Sequence, residues 1–343
     1  MKELKGIDEF EKLIKASGVS GYEDEICETI RTMVSDLGET RVDNIGNLIL
    51  EFPGEGPHIA IVAHMDEVGM VVSNIEDNGF LRVMKIGGVK DSLLLGRHVT
   101  IHTSEGPVNG VIGHKAPHLT TDQDKRDEIV PWTSTYVDVG AGSSEEVREL
   151  GIDVPDSITF MKTLRPLRGK ILAGRAMDNR IGCYALIQLA RKLKDTGKHL
   201  TLVWSVQEEI GLRGAKVVGN MLKPDYVIAL DTYTTSDSPG LKSFYKPIKL
   251  GKGPVLRMVD VRAISSPKLV RHFKKVAEDN GIPVQYGVTG GTTDGMALQE
   301  FGPLTMAIGV PVRYSHSTVE VAHWDDVTGL SPLLEAGIRE LND

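Results

Sequence analysis

Two short runs of the sequence place a histidine and carboxylates directly after an apolar stretch. The run AIVAHMDE puts His64 and Asp66 where a buried strand would stop, and the run LVWSVQEE puts Glu208 and Glu209 at the end of a second one. Histidine and carboxylate side chains bind metal ions or transfer protons in enzymes. The pattern therefore indicates chemistry at the ends of strands.

Three further segments deliver side chains of the same types. Asp231 follows the apolar run YVIAL, His316 lies in YSHSTVE after a late apolar strand, and Asp178 in RAMDNRIG opens a predicted helix. Alone, each would be explained as a helix cap, a turn residue or a surface histidine. Ligands of open α/β sheets bind outside the carboxyl ends of the strands. Because so many like charges together would be costly, their meeting at that edge indicates a bound cation.

The donor types indicate which cation and how many. Two histidines with several carboxylates and no thiolate suit zinc, cobalt or manganese. The set exceeds what one four- or five-coordinate ion needs, so it predicts two ions that share a bridging carboxylate. Of the adjacent pair Glu208 and Glu209, one is expected to bind metal while the other faces a water as general base.

The elements that must position these residues alternate between strand and helix over most of the chain. This alternation predicts an α/β fold in which a mixed sheet is sandwiched by helices. Residues 68–165 differ, because short strands there are broken by glycines. We therefore predict a catalytic α/β domain formed by residues 1–67 and 166–343, with an inserted β-rich domain at 68–165.

Composition excludes several other classes of protein. The chain has 343 residues and a formal net charge of −8 without a basic stripe, which argues against a nucleic-acid partner. Nothing approaches 18 uninterrupted apolar residues, so no membrane span is expected. The N-terminal segment shows no apolar core of a signal peptide. Cys27 and Cys183 lack the spacing of a zinc site, and a reducing, cytoplasmic location is expected.

The motifs together resemble the tetrahedral aminopeptidase family of dinuclear metallopeptidases, which includes deblocking and glutamyl aminopeptidases. The resemblance covers AHMDEVG, GRAMDNRIG, VQEEIGLRGA, ALDT and YSHSTVE, and it runs nearly from end to end of the chain. It implies a cis peptide bond between Asp178 and Asn179. It also implies a glycine-rich loop near the specificity pocket, seen here as VTGGTTDGMALQ, in which Asp294 is otherwise a simple turn residue.

The resemblance also implies a role for each candidate residue. Carried over by position, one metal would be held by His64, Asp178 and Asp231. The other would be held by Asp178, Glu209 and His316, so that Asp178 bridges. Glu208 would be the general base, and Asp66 would orient His64 from behind.

The implied activity is the release of N-terminal residues from peptides by attack of a metal-bridging water. It would use two divalent ions per subunit, zinc or cobalt. The implied assembly consists of dimers gathered into a tetrahedral dodecamer, with the β-rich insertion making the dimer contact. A charged loop at about 118–132 could then reach a neighbour's active site.

Three alternatives remain open from the residues alone. A metal-dependent carboxypeptidase or amide deacylase would need an arginine for a substrate carboxylate, and Arg175, Arg180 and Arg213 are candidates. A glycoside hydrolase of the endoglucanase type would use Glu208 with another acid but leaves both histidines without a role. A binding module with a structural metal would not need a spare acid.

The remaining acids and histidines are expected to be structural. Glu67 is interpreted as a solvated or structural acid. His114 and His118 are interpreted as loop histidines of the insertion, and His323 as a residue at the start of a helix.

Overall fold

The computed structural model describes residues 4–119, 129–240 and 247–341. They form two compact units. The first contains the residues up to Asp66, Thr163–Ser315 and the chain from Val319 onward, and the second contains Glu67–Lys162 with His316–Thr318. The proposed loop contact falls largely on residues 120–128, which lie outside the described residues.

The strands come first in chain order. Within the described ranges they are β1 (Thr40–Val42), β2 (Leu48–Phe52), β3 (Glu55–His64), β4 (Gly69–Ile75), β5 (Leu81–Ile86), β6 (His98–Thr103), β7 (Gly106–Ile112), β8 (Tyr136–Asp138), β9 (Ser157–Phe160), β10 (Leu164–Pro166), β11 (Ile171–Gly174), β12 (Lys198–Ser205), β13 (Tyr226–Thr234), β14 (Val255–Val259), β15 (Gln285–Val288), β16 (Leu304–Arg313) and β17 (Glu320–His323).

The helices cover the faces of the large sheet or lie in the barrel unit. In the same ranges they are α1 (Ile7–Lys15), α2 (Asp24–Val34), α3 (Ser144–Glu149), α4 (Met177–Leu193), α5 (Arg213–Met221), α6 (Pro267–Asp279), α7 (Asp294–Gln299) and α8 (Trp324–Glu340). α1 buries Phe10, Leu13 and Ile14 on one side, as its apolar spacing predicts. None of the helices described here combines the length and hydropathy needed to cross a membrane.

The first unit is built on a mixed sheet of eleven strands among the described residues, in which β1, β2, β12, β3, β13, β16, β17, β11 and β10 are successive neighbours. β12 and β13 both pair in parallel with β3, and β16 pairs in parallel with β13. The register sets Ser205 opposite His64. Four parallel strands therefore end at one edge of the sheet, which confirms the predicted mixed α/β fold.

The second unit is a closed barrel of six described strands in the order β4, β5, β8, β7, β6, β9. Its core is formed by alternate apolar residues such as Val72, Ile101 and Ile158, each fully buried. The predicted β-rich insertion is thus a barrel, which leaves no exposed sheet edge within it. Its use as a dimerisation domain stays a prediction.

Glu67 begins the barrel unit as a fully buried carboxylate, and the Lys162 ammonium at the other end of that unit donates a hydrogen bond to it. We expect Lys162→Met to lower the free energy of unfolding by about 3–5 kcal/mol, because the buried carboxylate loses its cation. Denaturant titration with circular dichroism would measure the loss.

Two control variants make this test specific. Lys170→Met removes the cation of an exposed pair with Asp325, and it should cost less than about 1 kcal/mol. The double variant Glu67→Gln with Lys162→Met removes both charges and should recover much of the loss. Equal free energies of unfolding for Lys162→Met and Lys170→Met would show that the buried pair of Glu67 and Lys162 stabilises the protein no more than an exposed ion pair does.

Candidate metal centre

His64 ends β3 and is almost completely buried. Its Nε2 atom lies 3.4 Å from Oδ1 of Asp178 and 3.7 Å from Oδ1 of Asp231, and its Nδ1 atom lies 3.4 Å from Oδ1 of Asp66. One ring nitrogen therefore faces two candidate ligands while the other faces a single buried carboxylate. A carboxylate behind a metal-binding histidine has this arrangement.

Asp66 is fully buried and accepts hydrogen bonds from three groups besides its contact with the histidine. Its Oδ1 accepts the backbone N–H of Glu208 at 3.0 Å, and its Oδ2 accepts the N–H of Glu209 at 3.1 Å and the Ser20 hydroxyl at 2.6 Å. Burial alone would raise the pKa of Asp66, but the neighbouring His64 ring and its charge lower it. Asp66 thus connects the histidine to the glutamate pair.

Asp178 lies at the start of α4, where its peptide bond to Asn179 is cis. This confirms the bond that the family resemblance implies. The Asn179 side chain donates to the Leu230 carbonyl at 2.9 Å. The Ser315 hydroxyl donates to Oδ2 of Asp178 at 2.8 Å, which leaves Oδ1 directed toward His64. The carboxylate is therefore held by its neighbours in the first unit.

The donor set fits divalent metal ions. Among the described residues, two groups bring one ligand atom per residue within 4.8 Å of one another: His64, Asp178 and Glu209 form the first, and His64, Glu208 and Asp231 form the second. Nitrogen and oxygen donors of this kind suit zinc, cobalt and manganese. Four of the five predicted ligands, and the predicted base, are thus brought together.

The charges in this cluster explain why a cation would stabilise it. Burial and then the Glu209 carboxylate raise the pKa of Glu208, although the charge of His64 opposes this. Burial and Asp178 raise the pKa of Glu209. Burial lowers the pKa of His64, yet the carboxylates of Glu208, Asp178 and Asp231 raise it well above its ordinary value. Carboxylates that repel one another in this way attract a divalent ion.

The structure places His316 outside the two ligand groups of the described residues and Asp294 in a buried position close to them. His316 belongs to neither ligand group among the described residues, so its role as a ligand stays a prediction. Asp294 is the first residue of α7 and is buried, and its carboxylate accepts the Ser205 hydroxyl. Burial raises the pKa of Asp294 to about 7. Asp294 is therefore a buried residue at the start of a helix, whereas the sequence alone would also allow a simple turn residue.

Sequence reasoning missed two side chains that hold the strand exits. Glu23 accepts the Gln207 N–H at 3.0 Å, and Asn47 accepts the Val206 N–H through Oδ1 at 3.0 Å. Both are buried and lie far from these partners in sequence. The only signal was the position of Glu23 in a short glycine-containing connection between two helices. His323, in contrast, caps α8 as predicted by accepting the Asp325 N–H.

The three arginines that could bind a substrate carboxylate in a carboxypeptidase lie in different environments. Arg180 is fully buried and donates to the backbone carbonyls of Met65 and Ala16. Arg213 lies exposed at the start of α5, and Arg175 is buried. Arg180 thus binds α4 to the residues that directly follow β3 and α1, which argues against the arginine nearest to Asp178 in sequence as a ligand of a substrate carboxylate.

Comparison with known proteins adds independent findings. A sequence profile of the M42 glutamyl aminopeptidase family matches residues 46–333. The lysyl aminopeptidase of Pyrococcus furiosus is 36% identical over 336 residues, which cover 96% of this chain and 96% of that protein.

Solved structures show the same likeness. The TET1 peptidase of Pyrococcus horikoshii, described as assembling into a tetrahedron or a large octahedral shell, is 41% identical, with a TM-score of 0.90 over 98% of this chain and 99% of that one. The TET aminopeptidase of the marine sediment archaeon Thaumarchaeota archaeon SCGC AB-539-E09 is 32% identical, with a TM-score of 0.94 over 100% of this chain and 98% of that one. A protein of Thermotoga maritima called an endoglucanase is 26% identical, with a TM-score of 0.78 over 96% of this chain and 98% of that one.

Proposed function

Since this chain belongs to the M42 glutamyl aminopeptidase family, we propose that its activity as a metal-dependent aminopeptidase uses two divalent ions, zinc or cobalt, held at the end of β3. His64, Asp178 and Asp231 would hold one ion, and Asp178, Glu209 and His316 the other. Both sets contain Asp178, which would bridge. When bound, such ions supply Lewis-acid polarisation of a peptide carbonyl and activation of water.

The protein's own residues would contribute proton transfer and orientation. Glu208 would take the proton of the attacking water and return it to the leaving amine. Asp66 orients the His64 ring and holds the backbone of both glutamates. Peptides with a free N-terminus would be the substrates.

One observation carries the proposal: a buried histidine directs a single ring nitrogen at two carboxylates while a spare glutamate lies in the same cluster. A closed structural metal site seldom keeps a spare acid. The cluster also gives His64 a role that a glycoside hydrolase would not need.

We expect the purified protein to release N-terminal residues from aminoacyl-anilides and short peptides, and to lose this activity with a chelator. Added zinc or cobalt should restore it, because the donor set binds both ions. The same preparation should be assayed on N-acetylated peptides, on C-terminal release and on a β-glucan. Chelator-resistant cleavage of the glucan would support the endoglucanase alternative, and C-terminal release would support a carboxypeptidase.

The assembly is proposed from the relatives. A solved relative at 40% identity, PhTET1-12s, has a dodecamer in its asymmetric unit. We propose that this chain also forms dimers that assemble into a tetrahedral dodecamer, with the barrel unit making the dimer contact. Native mass spectrometry would give the number of subunits. Both described cysteines are free, which is compatible with a cytoplasmic location.

A further inference from the structure

The chain that carries Glu208 leaves the sheet at the end of β12, where its backbone amides have no strand partner. Glu23, in the connection between α1 and α2, accepts the N–H of Gln207 at 3.0 Å through Oε1. The same oxygen accepts the N–H of Gly21 at 2.9 Å. Glu23 is 7% exposed, so water does not replace this acceptor readily. One buried oxygen thus fixes two backbone segments.

Gln207 needs this support because of its conformation. Its φ is 56°, in the left-handed region that residues other than glycine seldom adopt. It directly precedes Glu208, so a change in its backbone would redirect the carboxylate that follows. Asp66 holds the next two amides. Glu23 therefore holds the first residue of a run whose other amides are bound to Asp66.

We propose that Glu23 is a positioning residue for the general base, holding the Gln207 amide so that the Glu208 side chain starts from a fixed backbone. The proposal rests on the proposed role of Glu208. Glu23 would touch neither substrate nor metal, since among the described residues it belongs to neither ligand group and its contact with this segment is the Gln207 N–H.

The required feature is an acceptor oxygen at this position. Burial and the charge of Asp66 raise the pKa of Glu23 to about 7, and Oε1 can accept both N–H groups in either protonation state. A glutamine offers the same oxygen, whereas a methionine of similar length offers none. The two substitutions therefore separate loss of the acceptor from loss of the charge.

We expect Glu23→Met to lower kcat by about 10- to 100-fold, since small misplacements of a catalytic group have effects of this size. KM and metal content should change little, because substrate binding and the ligands are not altered. Hydrogen exchange of a peptide covering residues 205–213 should become faster. Glu23→Gln should keep the kcat, the metal content and the slow exchange of the wild type.

Glu25→Met is the matched control, because Glu25 lies two residues further along, in the first turn of α2, and accepts the Ser17 hydroxyl instead of the Gln207 amide. It should leave kcat and exchange unchanged. Wild-type kcat and exchange in Glu23→Met would overturn the proposal, as would equal damage from Glu23→Gln or loss of metal. If the wild type were no aminopeptidase, the proposed function would fail, while the exchange comparison would still show whether Glu23 holds the loop.

Discussion

Replacing Glu208 by glutamine is expected to abolish turnover while metal content stays close to that of the wild type. The amide keeps the shape of the side chain, but it cannot take a proton from the attacking water. A general base contributes about 10²–10⁴ in rate. The loss in kcat should reach the upper end of this range, about 10⁴-fold, because the same group is proposed to protonate the leaving amine. Steady-state kinetics on an aminoacyl-anilide, with elemental analysis of the same sample, would measure both quantities.

The neighbouring glutamate supplies the matched control. Glu209 lies one residue further along and groups with His64 and Asp178, so Glu209→Gln should lose metal together with activity. Glu208 also groups with His64 and Asp231, which makes it a possible ligand by distance. If Glu208→Gln lost its metal and Glu209→Gln retained it, the two roles would have to be exchanged.

The site residues that directly follow apolar strands could be predicted from the sequence. Parallel strands of one sheet end at the same edge, whatever their order in the sheet, so the order did not have to be known. β3, β12 and β13 lie side by side, so His64, Glu208 and Asp231 meet at one sheet edge. The sequence pattern needed only to show where each strand stops. The same reasoning gave the α/β class, since alternating strands and helices have few other arrangements.

The supporting contacts could not be predicted, because they join distant segments through single hydrogen bonds. Glu23 meets Gln207 across 184 positions, and Asn47 meets Val206 across 159. No periodicity marks such pairs. Asp294 was similarly ambiguous beside its glycines, since only the fold shows that it lies buried against Ser205.

Asp178→Asn is expected to remove both metal ions or to leave one weakly bound. A bridging position needs an anionic oxygen for each ion, and an amide offers one neutral acceptor. Oδ1 of Asp178 lies 3.4 Å from Nε2 of His64, and the Ser315 hydroxyl donates to Oδ2. Elemental analysis after dialysis would give the metal content, and calorimetric titration with zinc would give the number and affinity of the sites.

Ser315→Ala is the control for this variant, because it removes the hydrogen bond to Oδ2 and leaves the charge. Ser315→Ala should keep both ions. The affinity for metal should fall only slightly, because the Asp178 carboxylate keeps its charge but is oriented less firmly. Loss of metal in both variants would mean that carboxylate orientation, as well as charge, determines binding. Two tightly bound ions in Asp178→Asn would rule out Asp178 as the bridge and leave Glu208, which groups with His64 and Asp231, as the carboxylate to test next.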